Sequence, residues 1–342
     1  MPDSPCIPDF NYFDTPDFLI ISLHITTAIS TPIHLLGVYC ILFKTPKPME
    51  SVKWYLLTLH VWVIILDYSI SLLTVPYVLF PAVAWISHGF LYFLGVPLIV
   101  QNLYLLLAIA FMVLSILSIY ENRFYILCRF RYKPQWAIGR RIWLLGHYLL
   151  VCILMIPVVY LVPDQTNAKQ LAFQTLQCFP DYIYQEEVFV LALDWKFQIA
   201  EMCLIVGFFC SEIIFFIVCL SRNALEQVKS NTMSLATYNM QKTFFIALII
   251  QTVIPLLTLV IPVFVVSWIV VYNYQNQALN NFGTVLVATH GALSTVVMIV
   301  VHKPYREAVK GMIGMKVVRV APKISTDSLL KRIRSTVAII LP

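Results

Sequence analysis

Asp67 is the one ionisable residue near the middle of its apolar run, and an acid at that depth costs at least ~2.5 kcal/mol unless polar partners meet it. Its carboxylate must therefore face other helices, either as a neutral, hydrogen-bonded fastener or as the centre of a wider polar network, with Ser71, Asn102 and Ser294 as candidate neighbours. Glu121, Asn122 and Arg123 close a second apolar run, where charges commonly anchor a helix end at the lipid headgroups. The histidines, at 24, 34, 60, 88, 147, 290 and 302, show no i, i+4 pairing of the kind a zinc site uses. Each is expected to be a hydrogen-bonded interhelical group. The chain also lacks a Gly-rich phosphate loop, a nucleophile elbow and a metal-binding His-Glu pair, so neither enzymatic chemistry nor a cofactor is expected.

The elements that must position these residues come from an unusually apolar chain. Hydrophobic residues make up 60% of it and charged residues 12%, against roughly 45–50% and about 25% in soluble domains. Such a chain uses lipid as part of its solvent. Runs near 18–43, 54–80, 96–119, 142–162, 197–220, 243–270 and 283–301 are each long enough, at ~1.5 Å per residue, to cross a hydrocarbon core of ~30 Å. The pattern predicts an all-α integral membrane protein, a bundle of seven transmembrane helices. Its parts are an outer N-terminal segment 1–17, the bundle 18–301, and a tail 302–342. Pro81, Gly89 and Gly95 interrupt an apolar stretch and predict a short, partly embedded loop over 81–95. Pro255 and Pro262 lie inside the sixth run; each removes a backbone hydrogen bond, so Pro255 either hinges that span or is repaired by its neighbours.

Orientation follows from where Lys and Arg lie near the span ends. The segments 44–53, 120–141, 221–242 and the tail from 302 hold 21 of the 23 basic residues, and the opposite side holds Lys169 and Lys196. Nine of the 17 acids accompany those two. The N-terminus is therefore expected outside and the basic tail in the cytoplasm, facing anionic lipid. A net charge of +6 is thus a topology signal that calls for no nucleic acid. The first 17 residues carry Asp3, Asp9, Asp14 and Asp17 and no basic residue, so the first span is expected to stay as a signal anchor. After the last span, Tyr305, Ala308, Val309, Met312 and Ile313 recur at helical spacing, with Lys303, Arg306, Lys310 and Lys316 off that stripe, which predicts an amphipathic helix at the membrane surface. Cys6 and Cys178 are the two cysteines in the outer segments, and an exposed pair in an oxidising compartment more often bridges than stays free.

Several short motifs narrow the class. They include Lys44-Thr45-Pro46, Leu59-His60-Val61-Trp62 with Asp67, Tyr120-Glu121-Asn122-Arg123-Phe124, Pro163-Asp164-Gln165, and Gln177-Cys178-Phe179-Pro180. Gln241-Lys242, Ile254-Pro255, Tyr274-Gln275-Asn276-Gln277 with Asn280-Asn281, His290-Gly291 with Ser294-Thr295, and His302-Lys303-Pro304-Tyr305-Arg306-Glu307 follow. In this order the chain resembles the nematode serpentine chemoreceptors of class H, within the rhodopsin-like G-protein-coupled receptor superfamily, over about residues 6–310.

That resemblance implies a chemosensory receptor whose partners are a small odorant- or pheromone-like ligand, a heterotrimeric G protein and membrane lipid. It implies the plasma membrane, in the cilia of sensory neurons. It assigns G-protein coupling to Glu121, Asn122 and Arg123, since a guanidinium can exchange one buried bidentate partner for another without losing its charge. It makes Asp67, with Ser294, a helix-core polar or sodium-binding network and Pro255 a hinge. The outer end of the third span has no cysteine for the usual receptor disulfide, so a Cys6–Cys178 bridge that ties the N-terminal segment over the pocket is expected in its place, the alternative being two free thiols. Gln101, Tyr104, Glu201 and His290 are the pocket candidates, in a cavity among spans 3, 5, 6 and 7. A ligand-gated seven-span channel with its N-terminus inside and a secondary transporter are the rival classes; the charge pattern opposes the first, and no inverted repeat supports the second.

Overall fold

The computed structural model describes residues 10–176, 178–229, 235–312 and 314. Seven helices long and apolar enough to cross a membrane occur among them, at Pro16–Lys44, Glu50–Thr74, Leu98–Leu127, Lys133–Tyr160, Lys196–Gln227, Phe245–Val271 and Gln277–Val301, numbered here spans 1 to 7. Span 1 starts on Thr15, whose hydroxyl accepts from the Phe18 amide, with Pro16 at the first helical position where its missing N–H costs nothing. Span 3 packs against spans 2, 4 and 5 and is buried along most of its cytoplasmic half, from Leu114 to Arg123. Outward faces carry exposed Leu35, Phe43, Ile142, Leu204 and Phe264, the arrangement a bilayer rewards.

The bundle is not purely helical. Span 2 ends at Thr74, six residues short of the expected 80, and the chain continues as β1 (Pro76–Val78), β2 (Val83–Ser87) and, after span 4, β3 (Val188–Ala192), an antiparallel sheet of order β1-β2-β3 on the outer side. Val75 turns the chain out of the helix at φ 41°, a left-handed conformation that costs a β-branched residue roughly 1–3 kcal/mol. Pro76 then cannot continue the helix. An apolar strand buried on both faces has the same hydropathy as a helical turn, which is why the run looked continuous. The expected short loop over 81–95 is this hairpin plus a helical turn, Phe90–Phe93. The long outer loop after span 4 also carries helices Gln165–Thr175 and Asp181–Gln185.

Side-chain amides hold this lid. Gln165 Nε2 donates to the Val190 carbonyl at 3.0 Å while its Oε1 accepts from the Val190 amide at 2.8 Å. Gln277 and Asn280 donate to the carbonyls of Val78 and Phe80, and Asn281 donates to that of Phe13 at 2.8 Å. Tyr77 donates to the Asp14 carbonyl at 2.6 Å, and desolvation raises its phenol pKa. The strand edges and the Phe13–Asp14 backbone are thereby stitched to the start of span 7.

Spans 2, 6 and 7 are each interrupted. Span 2 winds into a π-helical turn over Ser69–Thr74, immediately after Asp67. Span 6 does the same over Leu256–Val260, between Pro255 and Pro262, so the lost proline hydrogen bonds are absorbed by local widening. Span 7 stops at Ala288 and restarts at His290. The expected amphipathic helix occupies Lys303–Met312; Tyr305 is fully buried from it, and its hydroxyl meets Thr45 of the first cytoplasmic loop at 2.8 Å. Ile313 and residues 315–342, Lys316 among them, lie outside the described residues, as do residues 1–9.

Candidate functional site

Successive residues of an α-helix point about 100° apart, so four consecutive side chains can reach four different neighbours. At the cytoplasmic end of span 3 they do. The Tyr120 hydroxyl lies 2.9 Å from that of Thr252 on span 6, one turn before Pro255. Glu121 is held by span 4: Arg140 donates from Nη2 at 2.6 Å and from Nε at 3.1 Å to Oε2, and Trp136 Nε1 donates at 2.8 Å to Oε1. Asn122 accepts from Arg140 at 3.2 Å and reaches the Ser51 carbonyl at the start of span 2 at 3.5 Å. Arg123, 8% exposed, lies toward His302, at the junction of span 7 and the amphipathic helix. Burial, with Arg123's charge second, lowers the His302 pKa from 6.5 to about 4.

The hub thus draws spans 2, 4 and 6 and the end of span 7 onto one turn of span 3. Glu121 is 5% exposed and Arg140 17%, so the pair is largely desolvated and fork-shaped. Arg140 was expected in the loop 120–141; it lies two turns inside the helix of span 4, and that extension is what brings it to Glu121.

Asp67 sits at a second junction. His34 Nε2 of span 1 is 3.0 Å from its Oδ2, and His290 Nδ1 and the Gly291 amide of span 7 are 3.0 and 3.2 Å from its Oδ1. The break before His290 gives that amide to the carboxylate, since the first N–H groups of a helix have no intrahelical partner. Gly291 is needed there, because a Cβ would overlap the Asp67 carboxylate. Thr295 extends the network to His34 Nδ1 at 3.3 Å, and His60 Nε2 reaches the His34 carbonyl at 3.1 Å. Ser71 bonds the Asp67 backbone carbonyl at 2.7 Å, not the carboxylate. Two imidazoles therefore stand where Asn102 and Ser294 were expected; Ser294 is half-buried, one residue from the Thr295 that joins the network. Histidines in separate apolar runs were the available signal for this cluster.

The four pocket candidates do not converge. Gln101 is fully buried and committed to the lid, accepting from Ser87 at 2.7 Å and donating to the Val96 carbonyl at 2.8 Å. His290 is fully buried beside Asp67. Tyr104 and Glu201 are half-buried on spans 3 and 5. A cavity of about 240 Å³ opens higher, between the hairpin, helix Gln165–Thr175 and the outer end of span 6, with Ala82, Thr175, Trp195 and Asn273 in its wall. Small loop residues gave no chemical signal for it. Cys178 is disulfide-bonded, whereas Cys40, Cys128, Cys152, Cys203, Cys210 and Cys219 are free; the expected partner, Cys6, lies outside the described residues.

A model of the serpentine type 7TM GPCR chemoreceptor family Srh matches residues 14–315. The chain belongs to the Srh family. This Srh protein is 29% identical over 325 residues to serpentine receptor class H-72 of Caenorhabditis elegans, spanning 94% of this chain and 93% of that one. The crystal structure of squid rhodopsin is similar at a TM-score of 0.50 and 12% identity, over 95% of this chain and 94% of that chain, a likeness of fold. The Srh chain is accordingly a multi-pass membrane protein of the G-protein-coupled receptor type.

Proposed function

We propose that this Srh protein is a chemosensory receptor that binds a small, odorant- or pheromone-like ligand from the outer side and activates a heterotrimeric G protein. The hub on span 3 carries this reading. Tyr120–Thr252 and Glu121–Arg140 hold spans 6 and 4 against span 3, so a ligand with higher affinity for a state with span 6 displaced shifts the population by breaking few contacts. In this reading Arg123, buried in the present structure, is the cation that meets the G protein once span 6 is displaced, with Glu121 and Asn122 as its flanking switch. Pro255 and the π-turn after it are the hinge, and the Asp67 cluster is the polar node joining spans 1, 2 and 7. Tyr104 and Glu201 are the remaining pocket candidates, and a Cys6–Cys178 bridge ties the N-terminal segment to the lid. The plasma membrane, in the cilia of sensory neurons, is the setting that membership of the Srh family suggests for it.

The test is a ligand panel on cells expressing the receptor with a G-protein sensor, run in parallel for Arg123→Ala and Arg131→Ala at equal surface density. Arg123→Ala is expected to abolish ligand-driven activation, and Arg131→Ala, a solvent-exposed charge in the next loop, to retain it. Equal signalling by both variants would reject the assignment of Arg123.

A further inference from the structure

Glu212 is an acid in the interior of span 5, and its partner is His147 of span 4, whose Nε2 lies 3.0 and 3.2 Å from the two carboxyl oxygens. The other ring nitrogen, Nδ1, lies 2.8 Å from the Trp143 carbonyl oxygen. A carbonyl only accepts, so Nδ1 carries a hydrogen. One further proton then lies between Nε2 and the carboxyl group. Whether it resides on nitrogen or oxygen, the pair is neutral as a unit, which is what a low-dielectric setting favours.

The carboxyl group keeps lone pairs that His147 does not use, and its side chain is 22% exposed. It lines a cleft of about 500 Å³ between spans 3, 4 and 5, within the usual range of roughly 300–1,000 Å³ for small-molecule sites. Phe124, Trp136, Trp143, Phe215 and Phe216 supply its aromatic walls, and Ser211 stands beside the acid. Phe130 and Tyr132, in the connection between spans 3 and 4, complete the lining on the cytoplasmic side. Phe215 is 57% exposed on the outward face of span 5, the kind of face a membrane helix turns to acyl chains.

We propose that this cleft is an intramembrane binding site for a neutral, apolar ligand with a single hydroxyl, entering from the bilayer. The chemistry selects against the alternatives. A carboxylate or phosphate brings only acceptors to an acceptor, and a cation adds a net charge that the neutral pair does not cancel. A hydroxyl donates to the free carboxyl lone pair while the hydrocarbon body packs on the rings. The site adjoins the hub, because Trp136 lines the cleft and donates to Glu121. An occupant holds that indole in place and so stabilises the closed end of span 3.

The proposal is tested on the full-length protein in phosphatidylcholine vesicles with two photoreactive probes, a diazirine-bearing aliphatic alcohol and the diazirine-bearing alkane of equal length. The alcohol is expected to label peptides of residues 124–143 and 211–216 about fivefold more than the alkane, the ratio one net hydrogen bond supplies. The double variant Glu212→Leu/His147→Leu replaces the pair by apolar side chains and is expected to bring the alcohol down to the alkane level. Ser211→Phe fills the cleft, leaves the pair intact, and is expected to remove both labels. Equal labelling of the wild type by the two probes, or none, overturns the proposal, as does alcohol labelling that survives Ser211→Phe. The wild-type ratio is decisive even if the double variant fails to reach the membrane. The readout is labelling alone, so it stands or falls separately from G-protein activation.

Discussion

The contacts of the span 3 hub can be removed one group at a time, and each removal has a signed outcome. Tyr120→Phe deletes the hydroxyl that meets Thr252 and keeps the ring. At about 1 kcal/mol for a net hydrogen bond it should raise ligand-independent activation roughly fivefold, read with a G-protein sensor at equal surface density. An unchanged baseline would place the restraint on span 6 elsewhere. His302 gives a pH effect whose sign is set by its lowered value of about 4 against 6.5 for a free histidine. Below pH 6.5 the unfolded chain takes up the proton first, so the stability this residue contributes is complete above pH 6.5 and is lost as the pH falls toward 4. Melting temperatures in detergent from pH 7 to 4.5 should fall less steeply for His302→Phe than for the wild type. At this scale the sequence showed which residues carry charge near a span end, Arg123 and Glu121 among them. It did not show that Glu121 is answered by Arg140, since a partner 19 residues away depends on how far span 4 extends and which face it turns. The pairing of Glu212 is hidden in the sequence for the same reason, because its answer, His147, is 65 residues distant.

The elements repeat that division. Span existence was legible because twenty apolar residues in succession have one structural solution in lipid, whereas the sheet was not, because Pro76–Val78 and Val188–Ala192 are as apolar as the spans beside them. Irregular turns were half legible: Pro255 announced the break in span 6, but nothing comparable announced the π-turn of span 2 or the stop before His290. That stop is indispensable to the Asp67 junction. Gly291→Ala should drive a methyl group into the carboxylate and unseat span 7, costing about 3 kcal/mol and most of the surface expression on flow cytometry. Normal expression would show that span 7 can shift freely. In the lid, Gln165→Ala removes both hydrogen bonds to Val190 and should cost about 2 kcal/mol of thermal stability without changing topology.

At the scale of the whole molecule, the charge bias, the closed cytoplasmic hub and the amide-stitched outer sheet describe a bundle with two different ends. An epitope tag before Asp3 should be stained on intact cells and one after Lys316 only after permeabilisation, since 21 of 23 basic residues line one side. The central claim is that the cytoplasmic end couples to a G protein and is held shut by the grip of span 4 on Glu121. It can be tested without knowing the ligand. Arg140→Ala frees a buried carboxylate at a cost of about 3 kcal/mol to the closed state, and so should populate the open one. The measurement is nucleotide exchange on a heterotrimeric G protein by the purified receptor in lipid nanodiscs. Exchange should rise severalfold over wild type in Arg140→Ala and return to the receptor-free rate when Arg123→Ala is added. Wild-type rates in Arg140→Ala, or an undiminished rise in the double variant, would contradict the account.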